Sequence, residues 1–143
     1  MYERILVPTD DAEEMESVFE HAAAIARPHD AEVHVVSVVD KRAFLTLEEE
    51  MKDDVERQLR EQGAEATQRA ADWFADAGVD VTTDHLSGDP ADEIVRYASH
   101  ADIDLVVMGT RRNDSQTMLG SVSQAVTDRA ESPVLVVDIA ADA

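Results

Sequence analysis

Apolar and polar positions along this chain fall into blocks whose period keeps changing. Arg4–Val7 is a short apolar run ending in Pro8 and predicts a first strand. Asp11-Ala-Glu-Glu14 follows, an acid with glutamate three positions on, which reads as a capping-box-like helix start with Asp11 as the cap. Met15, Val18, Phe19, Ala22 and Ile25 then fall on one helical face, and Pro28 with its polar neighbours closes that helix. Glu32–Val39 is valine-rich and predicts a buried second strand. A long helical pattern begins near Thr46, with Glu49 three residues on. Its apolar stripe runs through Leu47, Met51, Val55, Leu59, Ala66, Ala70, Trp73, Phe74 and Ala77; Gly63 is a candidate kink and Gly78 the stop.

The second half repeats the alternation. Val79–Leu86 predicts a third strand, and Ser87-Gly-Asp-Pro90 a turn in which Asp89 caps the next helix and Pro90 takes its first position. That helix turns Ile94, Val95 and Ala98 inward. Asp104–Met108 predicts a fourth strand, a loop leads to a helix carrying Val122, Ala125 and Val126, and Pro133–Val137 predicts a fifth strand. Five strands alternating with four helices describe one α/β domain over residues 1–143. The expected fold class is a doubly wound parallel five-stranded sheet with right-handed crossovers and helices on both faces.

Composition changes the picture in what it excludes. Of 143 residues, 44% are apolar, enough for one core. Acids number 32 against 12 basic residues, a net charge of −20, and only Lys41 and Lys52 are lysine. That charge argues against non-specific nucleic-acid binding and against docking on an anionic membrane. The acids are dispersed, with Glu48-Glu-Glu50 the longest run, so an acidic disordered tail does not fit. Adaptation of a folded surface to a high-salt, halophilic interior does. Zero cysteines exclude a disulfide scaffold and thiol chemistry. No apolar run nears the roughly 18 residues of a membrane span, and the start shows no signal-peptide pattern, so a cytoplasmic location is expected.

Ligands of such sheets bind beyond the carboxyl ends of the strands, where strand order reverses. Comparing strand exits therefore locates the chemistry. The third exit is a plain capped turn and the fifth is short. The first carries Pro8-Thr-Asp-Asp11. The fourth carries Gly109-Thr-Arg-Arg-Asn-Asp-Ser-Gln-Thr-Met-Leu-Gly-Ser-Val122, with glycines at both ends, hydroxyls, two arginines and an immediate helix start. Backbone N–H groups at such a helix start suit phosphate. Specialised first and fourth exits favour the order 3-2-1-4-5 over 2-1-3-4-5.

Taken together, Ile5-Leu-Val-Pro-Thr-Asp10, Val38-Val-Asp40, Gly88-Asp-Pro-Ala-Asp-Glu-Ile94, Val107-Met-Gly-Thr110, Leu119-Gly-Ser-Val122 and Ser132-Pro-Val-Leu-Val-Val137 resemble the universal stress protein family over essentially the whole chain. The resemblance implies the 3-2-1-4-5 sheet of the adenine nucleotide alpha hydrolase-like fold. It also implies a homodimer paired through the fifth strand, Pro133, Val134, Leu135, Val136 and Val137. Many members bind ATP. By position, adenine and ribose would lie against Pro8, Thr9, Asp10 and Val38, and the phosphates on Gly109, Gly120, Ser121 and Val122. Met108, Thr110, Arg111 and Arg112 complete the candidate site, and Mg would enter only with ATP. No other metal is expected.

One departure bears on that expectation. ATP-binding members carry Gly-x2-Gly-x9-Gly-Ser/Thr; here Gly109 is followed by Arg112 at the second glycine position, and seven residues separate Arg112 from Gly120. The loop is two residues shorter and lacks the glycine that lets backbone approach phosphate. An arginine fork could replace that contact or fill the pocket. A nucleotide-binding, non-catalytic stress module and a ligand-free dimeric scaffold therefore both stay open. Charge favours a site: Thr110–Thr127 holds one acid, Asp114, in 18 residues where the chain average gives about four. A phosphoaccepting receiver domain shares the strand count and Asp10-Asp11, but Asp84 is a poor phosphorylation site and no lysine follows Pro133. Nothing beyond Asp10 offers a base or metal ligand for phosphoryl transfer. The histidines (His21, His29, His34, His85, His100) lack metal-ligand spacing, and no serine-hydrolase motif is present.

Overall fold

The computed structural model describes residues 1–10, 12–110 and 120–139. Its elements alternate as expected: Arg4–Pro8 (β1), Met15–His29 (α1), Glu32–Asp40 (β2), Glu49–Asp76 (α2), Asp80–Gly88 (β3), Pro90–His100 (α3), Leu105–Thr110 (β4), Ser121–Arg129 (α4) and Val134–Asp138 (β5). The strands form one parallel sheet in the order β3-β2-β1-β4-β5. The order in which strands are added reverses between β1 and β4, where Ile5 pairs in parallel with Leu105 and Leu6 with Val106.

Burial follows from the layering. Ile5, Leu6 and Val7 of the central strand are fully buried because helices cover both faces. On one face Ile5, Val7, Val33, Val35, Leu105 and Val107 meet α1 and the end of α2, including Phe19 and Phe74. On the other, Leu6, Val36, Val106 and Met108 meet α3 and α4 through Ile94, Ala98 and Val126. The two-residue alternation thus sorts each strand's side chains between two cores.

Several sequence expectations are corrected. Pro28 does not end α1; it sits inside the last turn, and the helix stops at Asp30, whose φ of 53° turns the chain so that its N–H reaches the Arg27 carbonyl. Glu14, not an acid of a capping box, occupies the position before α1, without a side-chain cap; Asp11 lies outside the described residues. The long helix starts at Glu49 rather than near Thr46, because the backbone is extended at Glu48 (ψ 149°); before it Lys41–Phe44 forms a 3-10 turn capped by Asp40. α2 runs unbroken through Gly63, and a Cβ there would sit 2.7 Å from the Ser37 Oγ, so glycine lets the helix lie close on β2. The apolar stripe of α2 is buried only in its second half, at Ala66, Ala70 and Phe74, while Trp73 is half-buried and Met51 is exposed. β3 and β4 each extend two residues past the expected ends, and β5 begins at Val134 and ends at Asp138. The Asp89 cap holds: its carboxylate accepts the Asp92 N–H at 3.0 Å, with Pro90 at the first turn of α3.

Candidate functional site

The carboxyl ends of β1 and β4 diverge at the reversal point, and the gap between them is a cleft of about 450 Å³. Ten of the twelve expected site residues line it: Pro8, Thr9, Asp10, Val38, Met108, Gly109, Thr110, Gly120, Ser121 and Val122. Arg111 and Arg112 lie outside the described residues. Met15, Val36, Pro90, Ile94, Ser123 and Ile139 also line the cleft and were not singled out from sequence. Val36 was recoverable: it sits two positions before Val38 in a strand, hence on the same face. Pro90 belongs to the Gly88-Asp-Pro segment that already stood out. Ile139 lies beyond the fifth strand and gave no such signal.

Each wall has a local cause. At the β1 exit, the Thr9 N–H donates to the Val36 carbonyl at 2.8 Å, continuing the β1–β2 ladder one residue past the strand. Asp10, which is exposed, accepts the Ala12 N–H through its Oδ1 at 2.9 Å. At the β4 exit, the Gly120 N–H donates to the buried Thr110 Oγ1 at 3.0 Å, and the Ser123 hydroxyl donates to the Gly109 carbonyl at 3.3 Å. These two bonds fix the start of α4 against the end of β4. A Cβ on Gly109 would sit 3.1 Å from Val18 Cγ2 and 3.3 Å from two carbons of Ile139, so α1 packs closely there.

Electrostatics divides the cleft. Its apolar wall is Val36, Val38, Ile94 and Met108, a surface for a flat hydrophobic group. Its polar end is the first turn of α4. Gly120 precedes that helix and offers no side-chain cap, and the first turn carries no acid. The first turns of α1, α2 and α3 all carry acids: Glu16, Glu49 and Glu50, Asp92 and Glu93. An uncapped helix start presents N–H groups and the positive end of the helix dipole, which favours an anion. Among the sixteen described lining residues, Asp10 is the one acid, in a chain of 32.

A second polar cluster adjoins the cleft. Arg42 holds Asp40 through Nε and a terminal nitrogen, at 2.9 and 2.7 Å, and reaches Asp89 at 3.8 Å. The Arg42 hydrogen bonds outweigh the small cost of burial and hold the Asp40 carboxyl below its usual pKa range. Arg42 thereby ties the β2 exit to the cap of α3, next to Pro90. Elsewhere, burial and the nearby Asp84 and Glu32 carboxylates raise the Tyr97 hydroxyl, which lies 2.9 Å from His34 Nδ1. Among the described residues no cluster of three or more histidines and carboxylates could hold a metal ion, and no helix is long and apolar enough to cross a membrane.

Known proteins share both sequence and fold. A universal stress protein from Methanocaldococcus jannaschii, MJ0531, is 37% identical over 140 residues, covering 96% of this chain and 82% of that protein. The solved structure of MJ0577, a universal stress protein of the same organism, superposes with a TM-score of 0.83 at 30% identity, covering 96% of each chain. A universal stress protein from Archaeoglobus fulgidus, solved in complex with dAMP, superposes with a TM-score of 0.70 at 25% identity, covering 95% of this chain and 98% of that one. The family model for universal stress proteins matches residues 1–138. This chain belongs to the universal stress protein family.

Proposed function

We propose that the cleft between β1 and β4 binds an adenine nucleotide, ATP in the first instance, and that the protein acts as a non-catalytic, nucleotide-responsive stress module. The observation that carries this reading is the start of α4: an uncapped, acid-free helix start facing a cleft with an apolar wall, in an otherwise strongly acidic chain. A base fits against Val38 and Met108, ribose against Asp10, and phosphates against the N–H groups of Ser121 and Val122. A volume near 450 Å³ lies in the range of small-molecule sites. The dAMP complex of the Archaeoglobus relative supports the same ligand class. Mg²⁺ commonly takes one or two carboxylates plus substrate phosphates, and Asp10 supplies one carboxylate, so the residues fit a nucleotide-borne ion. That ion would neutralise phosphate charge.

The module works as a homodimer in the cytoplasm, at high salt. β5 is an edge strand, with β4 on one side, and its Val134–Val137 run is half-buried, which supports pairing along Pro133–Val137 with a second copy. A second reading, a ligand-free dimeric scaffold, is favoured by Arg112 at the position of a phosphate-loop glycine and by the two-residue deletion beside it.

Calorimetric titration with ATP decides between them, using wild type, Arg112→Glu and Ser121→Asp. An aspartate in the first turn suits the α4 dipole but repels phosphate. Ser121→Asp is therefore expected to keep the melting temperature and lose at least tenfold in ATP affinity, with Arg112→Glu also weakened. No heat from wild type supports the scaffold. Equal affinities in all three proteins would overturn phosphate binding at α4.

A further inference from the structure

We infer that the first half of α2, with the 3-10 turn before it, is a contact surface for a second copy of this chain, separate from the β5 edge. The first 17 residues of α2, Glu49–Glu65, include no buried residue; the last 11, Ala66–Asp76, include Ala66, Thr67, Ala70 and Phe74. The helix thus projects beyond its sheet over its first turns, before Gly63 meets β2 at Ser37. Yet this overhang keeps an apolar stripe at helical spacing: Met51, Val55 and Leu59, preceded by Phe44, Leu45 and Leu47. None of the six is buried, and Leu45 and Met51 are 79% and 52% exposed. A surface helix without a partner has no reason to carry such a stripe.

Charge identifies the partner. Residues 41–60 hold five of the chain's twelve basic residues, including both lysines, against six acids. Their net charge is −1 over 20 residues, while the other 123 residues carry −19. The cations are spent locally: Lys52 pairs with Glu49 at 3.3 Å, Arg57 with Asp54 at 2.9 Å, Arg60 with Glu56 at 2.8 Å and Arg42 with Asp40 at 2.7 Å. Such exposed pairs add little to stability. What they do is neutralise the rim of an apolar stripe. A basic partner would be drawn to the acidic remainder and gain nothing from a neutral patch. An acidic partner is repelled less here than by the surface outside the acid-poor Thr110–Thr127 segment, and a second copy of this chain is such a partner, present at the same concentration. Isologous pairing buries the stripe against itself.

The two contacts do not compete. α2 packs over β2 and β3, at the end of the sheet opposite β5. A chain using both would form a dimer of dimers.

The test is the mass of the full chain by sedimentation in about 1 M KCl, where the screening length falls to about 3 Å. Leu45→Glu/Met51→Glu changes two exposed side chains, so circular dichroism and melting temperature should stay as in wild type. The expected result is a twofold fall in the mass of the main species. The chain has no cysteine, so single Leu45→Cys, Met51→Cys and Val55→Cys variants report proximity directly. The position nearest the twofold axis should form a disulfide-linked pair under oxidation, where Gln68→Cys, on an exposed part of the same helix, does not. An unchanged mass in the double variant, or cross-linking no better than at residue 68, overturns the contact.

Discussion

Thr110, the last residue of β4, accepts the Gly120 N–H through its hydroxyl at 3.0 Å, joining the strand end to the residue before α4. The hydroxyl is buried, so the bond is not readily replaced by water. It ties the residue before α4 to the strand end at the cleft. Thr110→Val keeps shape but leaves the Gly120 N–H unpaired, at a cost of about 1–3 kcal/mol. Chemical denaturation should show that loss, and Thr110→Ser should recover most of it. Full stability in Thr110→Val would remove the role assigned to this bond.

Gly63 makes a prediction against ordinary helix propensity. Glycine to alanine inside a helix usually stabilises by about 1 kcal/mol. Here the new Cβ would meet Ser37 Oγ at 2.7 Å and Ser37 Cβ at 3.3 Å. Gly63→Ala should therefore destabilise, by about 1–3 kcal/mol if α2 is pushed outward. Removing the hydroxyl with Ser37→Ala should relieve most of that, giving a favourable coupling energy in a double-mutant cycle. Additive effects would show that the helix is not pressed on β2.

These two sites show where sequence reasoning succeeds and where it stops. Sheet order was legible because strands with both faces covered are continuously apolar, as Ile5-Leu-Val7 and Val106-Val-Met108 are, and because only the first and fourth exits carry specialised loops. The cleft walls at Pro8–Asp10 and Gly120–Val122 followed from the same topology. Gly63 was not legible: a glycine that permits close approach and a glycine that kinks look alike until the neighbouring strand is placed. The overhang of α2 was hidden for a related reason, since an apolar stripe gives a helix's face but not how far the sheet extends beneath it. Ile139 enters the cleft by tertiary placement alone, its N–H donating to the Thr110 carbonyl at 2.9 Å.

The Asp40–Arg42 pair adds one traceable carboxylate contribution to stability against acid. The folded-state pKa of Asp40 lies below its ordinary value, so its contribution is present above the unfolded pKa, about 3.9, and is lost as pH falls through the lower folded value. Asp40→Asn retains an oxygen that can accept the Arg42 N–H and cap the 3-10 turn, while removing the charge. The melting-temperature difference between wild type and Asp40→Asn should be constant from pH 5 to 7 and close as pH drops below about 4. A gap that persists at low pH would point to a lost cap instead of a lost charge.

The acid excess itself predicts a salt dependence. At −20, self-repulsion opposes the compact state, and its reach is about 10 Å at 0.1 M salt but about 3 Å at 1 M. Melting temperature should therefore rise from dilute buffer to about 1 M KCl. One local contribution can be isolated on α1. Glu16 and Glu20 are one turn apart and both exposed, a like-charge pair worth about 0.2–0.5 kcal/mol. Glu16 lies in the first turn, where the helix dipole favours it, so Glu20 is the residue to change. Glu20→Gln should raise the melting temperature by about 1–2 °C in dilute buffer. The gain should vanish near 1 M KCl, because screening has already removed the repulsion there. A gain that survives in concentrated salt would mean that glutamine acts through packing or helix propensity. A melting temperature indifferent to salt in wild type would mean that the acidic surface has no bearing on stability, and with it would go the physical argument for a high-salt setting.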